Sequence, residues 1–178
     1  SGNYGHGVYE NSTVQAVQEG SAVQGNNGYG DWPPGAACDI IYAVNTQGIS
    51  ERDSQFLYVD PQKQTSQAFG PLFRDYNFES VAISPANYRL YAAAAGLATK
   101  TRRGMLYLVD PNTAELAAIG NTGFNDIEDM TFRYDGTLWG WVDGKGIIQI
   151  NPETAYSYVR IPFRTKKIAP EGLAWTAD

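Results

Sequence analysis

Short runs of alternating apolar and polar residues recur along the chain between turn-forming residues, a pattern typical of β-strands. One such run occurs three times without gaps, each time with glutamate in second place, at 78–84, 127–133 and 170–176. Its glutamates, Glu79, Glu128 and Glu171, are separated by steps of 49 and 43 residues. A period of roughly 40 to 50 residues indicates repeats of four strands each.

The other strands of each repeat follow in a constant order. A run beginning Leu-Tyr, Leu-Trp or Ile-Tyr comes next, and a third run ends in an Asp-Pro or Asn-Pro turn at Asp60, Asp110 and Asn151. Proline suits the second position of such a turn because its φ is already near −65°. We therefore predict an all-β fold of four-stranded antiparallel propeller-type blades, strands A to D. About three repeats make an incomplete or partial propeller, since closed propellers have about four to eight blades.

The chain divides by composition into two parts. Residues 1–38 form a Gly-, Asn- and Gln-rich N-terminal segment that we predict to be irregular, and 39–178 form the propeller-like repeats. Within the first part, 13–17 alternates and is predicted as an edge strand or as part of a degenerate blade. The first repeat thus lacks an obvious A strand, and the last repeat stops after its A strand at 170–176.

Charge and hydropathy exclude two classes of partner. The net charge of −6 and the pI near 4.7 leave no basic face for nucleic acid. No apolar run approaches the roughly 20 residues of a membrane span. Low Lys with abundant Gly, Asn and Tyr favours a secreted or cell-surface protein, with the periplasm as an alternative. A lone cysteine, Cys38, permits no internal disulfide.

Loop lengths predict which end of the blades carries function. Long connections join strand D to the next A and strand B to C, at 46–54, 69–77, 96–104, 120–126 and 162–169. Both classes of connection lie at the same end of a blade, which we call the long-loop face. Functional residues concentrate on loops held by a rigid frame, so we expect the site there.

Acidic residues gather at this end in the predicted fold. Strand A is innermost in a propeller, so Glu79, Glu128 and Glu171 should converge around the channel, with Asp126 and Asp129 close by in sequence. Calcium takes several carboxylate and carbonyl oxygens, and such a ring would suit it. We therefore name these five residues as candidate calcium ligands. Two alternatives stay open: each glutamate accepts backbone N–H bonds from a neighbouring blade, or the carboxyls are catalytic.

Two basic loops are predicted on the same face. They contain Lys100, Arg102 and Arg103 in one loop and Lys166 in the other. An anionic ligand or an acidic partner surface would fit these residues, which are our candidate ligand-binding residues. Solvated loop charge is the alternative.

The strand and turn motifs resemble those of bacterial β-propeller repeats. Glu171-Gly172-Leu173-Ala174 and the Asp-Pro-x-Thr turn at 110–113 are similar to patterns in esterase-like phytase and lactonase-type propellers. The resemblance implies calcium in the channel, with Glu79, Glu128 and Glu171 among its acidic ligands. The chain departs from those families in having few blades, one Glu-Gly pair and one histidine, His6.

Our leading functional prediction is a non-catalytic exported module that binds a ligand or assembles at a surface, as in cell adhesion, through the long-loop face. The alternative is one part of a calcium-dependent propeller hydrolase acting on a phosphate ester or a lactone. The open blade edges predict a protein partner or self-association, because an unpaired sheet edge invites further pairing.

Overall fold

The computed structural model describes residues 12–15, 40–47, 52–163 and 172–176, and every regular element among them is a β-strand. The first sheet contains β1 (Ser12–Gln15), β2 (Ile41–Gln47), β3 (Asp53–Asp60) and β4 (Thr65–Phe73). The second contains β5 (Phe78–Ile83), β6 (Leu90–Ala94), β7 (Met105–Val109) and β8 (Leu116–Asn121). The third contains β9 (Ile127–Phe132), β10 (Leu138–Val142), β11 (Gly146–Ile150) and β12 (Ser157–Pro162). The described part of the chain has no helix able to cross a membrane.

The three sheets are consecutive antiparallel blades, which confirms the predicted fold class. Each blade is a meander in which strands neighbouring in sequence are hydrogen-bonded neighbours. The first strand of the second blade, β5, contacts both β1 and β9, the first strands of the flanking blades. The A strands therefore lie side by side on the inside of the assembly, as the propeller interpretation requires.

The Asx-Pro turns close the C–D hairpins as predicted. Oδ1 of Asp110 accepts the N–H groups of Asn112 and Thr113 at 2.8 and 3.0 Å. Oδ1 of Asn151 accepts the equivalent N–H groups of Glu153 and Thr154 at 2.9 and 3.1 Å. Side-chain oxygens thus cap the turn backbone in both blades, which is why Asp or Asn precedes the proline.

The core consists of side chains packed between adjacent blades. Phe56 of the first blade lies against Phe78 of the second, with ring centroids 5.3 Å apart, and both rings are fully buried. Ala82 and Leu106 of the second blade pack in the same way against Met130 and Ile148 of the third. Burial of such rings and aliphatic chains stabilises the fold by about 1.5–3 kcal/mol per side chain. The inner strands are held in place by this packing.

The structure confirms one part of the strand prediction and corrects another. The edge strand predicted at 13–17 is present as β1, which pairs with β2, with Thr13 opposite Val44, and gives the first blade its inner strand. Conversely, the described residues 172–176 form no strand, although the repeat predicts one there. They nevertheless pack on the third blade, where the Leu173 N–H donates to a carboxylate oxygen of Asp129 and the Trp175 ring lies 5.4 Å from that of Trp139.

Candidate functional site: a carboxylate cluster at the inner rim

Equivalent β-bulges place two of the predicted glutamates. In the β5–β6 ladder, Phe78 pairs with Ala94 and Ser80 pairs with Ala93, so the ladder skips Glu79 as an extra residue. The β9–β10 ladder skips Glu128 between Ile127 and Asp129 in the same way. A bulge leaves its extra residue outside the regular alternation and re-aims the side chain. Both bulges lie at the start of an inner strand.

The two bulged side chains meet a third carboxylate. Glu79, Asp126 and Glu128 each offer one carboxylate oxygen, and these oxygens all lie within 4.8 Å of one another. All three residues are half-buried. We call this group the rim cluster. It joins the second blade to the third, because Glu79 belongs to β5 whereas Asp126 and Glu128 lie just before and within β9.

The surrounding connections confirm that the cluster lies on the long-loop face. The connection from β4 to β5 meets the connection from β6 to β7, since the Thr99 N–H donates to the Asp75 carbonyl at 3.2 Å. Gly96 lies directly against the carboxylate of Asp126, and a Cβ at Gly96 would overlap Oδ1. Asn77 donates through Nδ2 to Oε1 of Glu79 at 2.9 Å. Loops of two blades therefore enclose the carboxylates.

Burial and crowding change the protonation of Glu128. Desolvation raises its pKa to about 8, with further contributions from the charge of Glu79 and a hydrogen bond with that side chain, then from the charges of Asp126 and Asp143. Carboxyls brought this close cannot all ionise unless a cation or a proton compensates. The cluster accordingly holds a proton near neutral pH when no cation is present.

The donor set fits a hard divalent cation. All three side chains offer carboxylate oxygens, and the described residues of the group include neither histidine nor cysteine. Calcium and magnesium select oxygen ligands, whereas zinc and copper sites favour imidazole or thiolate. Glu79, Asp126 and Glu128 are therefore the residues that would hold a metal ion.

Of the five predicted metal ligands, the four that the structure describes divide into three in the rim cluster and one, Asp129, outside it. Asp129 is buried beside Glu128 and accepts the N–H of Leu173, so it connects 172–176 to the third blade. Asp129 keeps its place in the ladder opposite Trp141, whereas the bulge re-aims Glu128. Glu171 lies outside the described residues.

The predicted basic ligand-binding residues are divided among different environments. The guanidinium of Arg102 donates to the Arg74 carbonyl at 3.0 Å and lies 4.0 Å from the centre of the Tyr76 ring. Arg103 donates through Nε to the Ala98 carbonyl at 3.0 Å. These contacts support the loop itself. Lys100 is exposed in the same loop, and Lys166 lies outside the described residues.

Asn77 and Gly96 are site residues that the sequence reasoning missed. Asn77 stands two residues before Glu79, as Asp126 stands two residues before Glu128. Extending the aligned glutamate repeat by two positions toward the N-terminus would have placed Asn77 and Asp126 in equivalent positions and indicated both as candidate site residues. Gly96 carries no comparable signal, because only the fold brings it to Asp126.

Comparison with known proteins supports the fold. No protein-family model matches the chain, and no curated protein sequence matches it significantly. Among solved structures, the gluconolactonase XC5397 from Xanthomonas campestris superposes with a TM-score of 0.51 at 15% identity, over 71% of this chain and 44% of that one. A protein of unknown function from Bacteroides thetaiotaomicron superposes with a TM-score of 0.53 at 10% identity, over 68% of this chain and 30% of that one.

The described chain spans less than half the length of either of these structures. At such identities the likeness concerns the fold. Three adjacent antiparallel blades with their A strands side by side identify the chain as a β-propeller protein, similar in fold to a gluconolactonase.

Proposed function

We propose that the chain is part of a β-propeller that binds calcium at its inner rim and uses the bound cation to hold an anionic ligand on the long-loop face. The observation that carries this proposal is the convergence of Glu79, Asp126 and Glu128 from two blades to within 4.8 Å. Two of them are aimed by matching bulges. Bringing like charges together raises the free energy of the folded state, and a bound divalent cation offsets that increase.

Calcium is the preferred cation because of its coordination number. It takes six to eight oxygen ligands in flexible geometry, whereas magnesium demands a near-ideal octahedron. Three protein carboxylates would leave several positions for water and for oxygens of a ligand. A carboxylate, phosphate or lactone oxygen would suit them. The ligand side of the site then faces the connections between strands rather than the core.

In this proposal the chain is a non-catalytic exported module for binding or surface assembly. Its acidic composition and its shortage of lysine support an extracellular location, where calcium is abundant. Exposed Lys100 on the β6–β7 connection is available to the anionic part of the ligand. The binding role, the extracellular location and the contribution of Lys100 are argued from the residues of this chain alone, without support from the similar structures.

A calcium-dependent hydrolase of a lactone or a phosphate ester is the second candidate. The similarity in fold to a gluconolactonase favours it. A carboxyl whose pKa is raised to about 8 can also exchange a proton near neutral pH, which general acid–base catalysis requires. In that case a rim carboxylate would accept a proton from water as the water adds to the carbonyl carbon or to phosphorus. The carboxyl would then return that proton to the ester oxygen as the bond from this oxygen to the carbon or phosphorus breaks.

Calcium titration of the chelator-treated chain tests the cation site. A ligand that binds only the folded state at 100 times its Kd stabilises that state by about 2.7 kcal/mol. For a domain of this size we expect Tm to rise by about 5–10 °C. Glu128→Gln should abolish most of the rise and the heat of calcium binding. Glu115→Gln is the matched control, because Glu115 is exposed before β8 and lies outside the rim cluster.

The same samples separate the two candidates. Gluconolactone and p-nitrophenyl phosphate are offered with calcium and with chelator. Turnover that requires both calcium and Glu128 would favour the hydrolase over the binding module. A wild-type chain whose Tm ignores calcium would contradict both.

A further inference from the structure

Asn77 and Asp126 occupy equivalent positions of adjacent repeats, and the structure gives them different environments. Each stands two residues before a bulged glutamate. The carboxylate of Asp126 joins the rim cluster. Asn77 instead is fully buried and lies in the left-handed region with φ of 44°. Asparagine tolerates that conformation better than most residues with a side chain.

Hydrogen bonds connect Asn77 to three segments. Its N–H donates to the Arg52 carbonyl and its own carbonyl accepts the Ala95 N–H, both at 2.8 Å. Oδ1 accepts the Leu97 N–H at 2.7 Å, and Nδ2 donates to Oε1 of Glu79 at 2.9 Å. The first bond reaches the first blade, and the next two reach the β6–β7 connection. The fourth reaches the rim cluster.

These partners determine which way the amide points. A backbone N–H can only donate, so the atom facing Leu97 must be the amide oxygen. The NH₂ group therefore faces Glu79 and can only donate to it. An aspartate at this position could still accept from Leu97, but it would set a fourth carboxylate oxygen against Glu79.

We propose that Asn77 is the positioning residue of the rim cluster: it holds the Glu79 carboxylate in place by donation and ties it to the β6–β7 connection. This inference rests on the proposed cation site. A side chain that binds a metal ion needs hydrogen-bonding partners of its own to hold it in the right position. Loss of one such partner typically weakens metal binding by about 10- to 100-fold. The same connection contacts Asp126 through Gly96, so one loop positions carboxylates of both blades.

Two substitutions test the role of Asn77. Asn77→Gly keeps the positive φ available and removes the side-chain bonds to Leu97 and Glu79, and we expect its calcium Kd to rise about tenfold. Asn77→Asp keeps the acceptor for Leu97 but replaces the donor to Glu79. We expect its Tm in chelator to fall below that of the wild type and calcium to restore part of the loss.

The control is Asn87→Gly in the β5–β6 turn, at the opposite end of the blade, where Oδ1 accepts the Arg89 N–H at 3.2 Å. Its calcium Kd should match that of the wild type. Calcium affinity is measured by titration calorimetry well below Tm, so that a loss of stability alone does not move it. A wild-type Kd in Asn77→Gly would overturn the role of Asn77 while leaving the cation site standing. A wild-type chain that binds no calcium would overturn the cation site first.

Discussion

Glu79 and Glu128 are the extra residues of matching bulges in neighbouring inner strands, and their carboxylate oxygens lie within 4.8 Å of each other across the boundary between two blades. Two ionised carboxylates at this distance repel each other unless a proton or a cation compensates. The second and third blades are therefore joined at the rim by a contact that depends on the proton or cation bound there. This dependence leads to three predictions, and the exposed face of β12 leads to a fourth.

Glu128→Gln should stabilise the metal-free chain. Glutamine has nearly the shape of a protonated glutamate, and it cannot ionise beside Glu79 and Asp126. After allowance for solvent screening of this half-buried group, we expect a gain of about 1 kcal/mol at pH 8, or roughly 2–4 °C in Tm. Thermal unfolding in chelator measures the change. Equal Tm values for this variant, Glu115→Gln and the wild type would contradict charge crowding at the rim.

The stability of the metal-free chain should fall as pH rises from 5 to 8.5. The folded-state pKa of Glu128, about 8, lies above its ordinary value of 4.5, so the folded state binds the proton more tightly than the unfolded state. The resulting stabilisation is complete below about 4.5 and is lost as pH passes through the folded-state pKa. We expect Tm to drop by several degrees over this range in chelator. The drop should be smaller with saturating calcium and in Glu128→Gln; a Tm that rises with pH in chelator would be the contrary result.

Gly96→Ala should weaken cation binding with little loss of stability. The added methyl group would overlap Oδ1 of Asp126, which is the far end of a flexible side chain and can move away. Moving it takes a carboxylate out of the cluster, so we expect calcium Kd to rise about tenfold while Tm in chelator changes by only a few degrees. Gly172→Ala is the control, because a Cβ there meets no atom within 4 Å. An unchanged Kd in Gly96→Ala would show that Asp126 is not a ligand.

Self-association should depend on one face of the outer strand β12. Ile161 pairs with Ile147 on the face that points away from the second blade, and it is 55% exposed. Val159 pairs with Ile148, whose side chain belongs to the core between the second and third blades. In the second blade the equivalent outward face is buried against the third. In the third blade Trp175 and Phe163 cover Trp139 and Trp141 on this face, and we expect the part around Ile161 to bind a second copy.

Sedimentation across a range of protein concentrations measures this association. Ile161→Lys should leave a monomer, whereas Val159→Lys, on the same strand with the opposite orientation, should associate like the wild type. A monomeric wild-type chain, or equal loss of association in both variants, would argue against this face.

The strand pattern was sufficient to predict the blades, because each blade is built from local pairings. Alternation sets which residues face the neighbouring sheets, and the Asx-Pro turns set where each C–D hairpin closes, so both are readable from a few adjacent residues. The pairing of β1 with β2 was harder to predict. Its four residues lie in a Gly- and Asn-rich segment, and a strand that short is stabilised mainly by the free edge of β2 rather than by its own composition.

The candidate site was only half predictable for a related reason. Glu79 and Glu128 repeat in the sequence, and their placement on inner strands follows from strand order. That Asp126 joins them, while Asp129 next to Glu128 does not, depends on a bulge whose presence no spacing reveals. The sequence by itself determined the repeat, the turns and the order of the strands within each blade, since these follow from local hydrogen bonding and side-chain alternation. Only the tertiary structure decided which carboxylates meet and that Asn77 and Gly96 hold them, because those contacts join separate blades and loops.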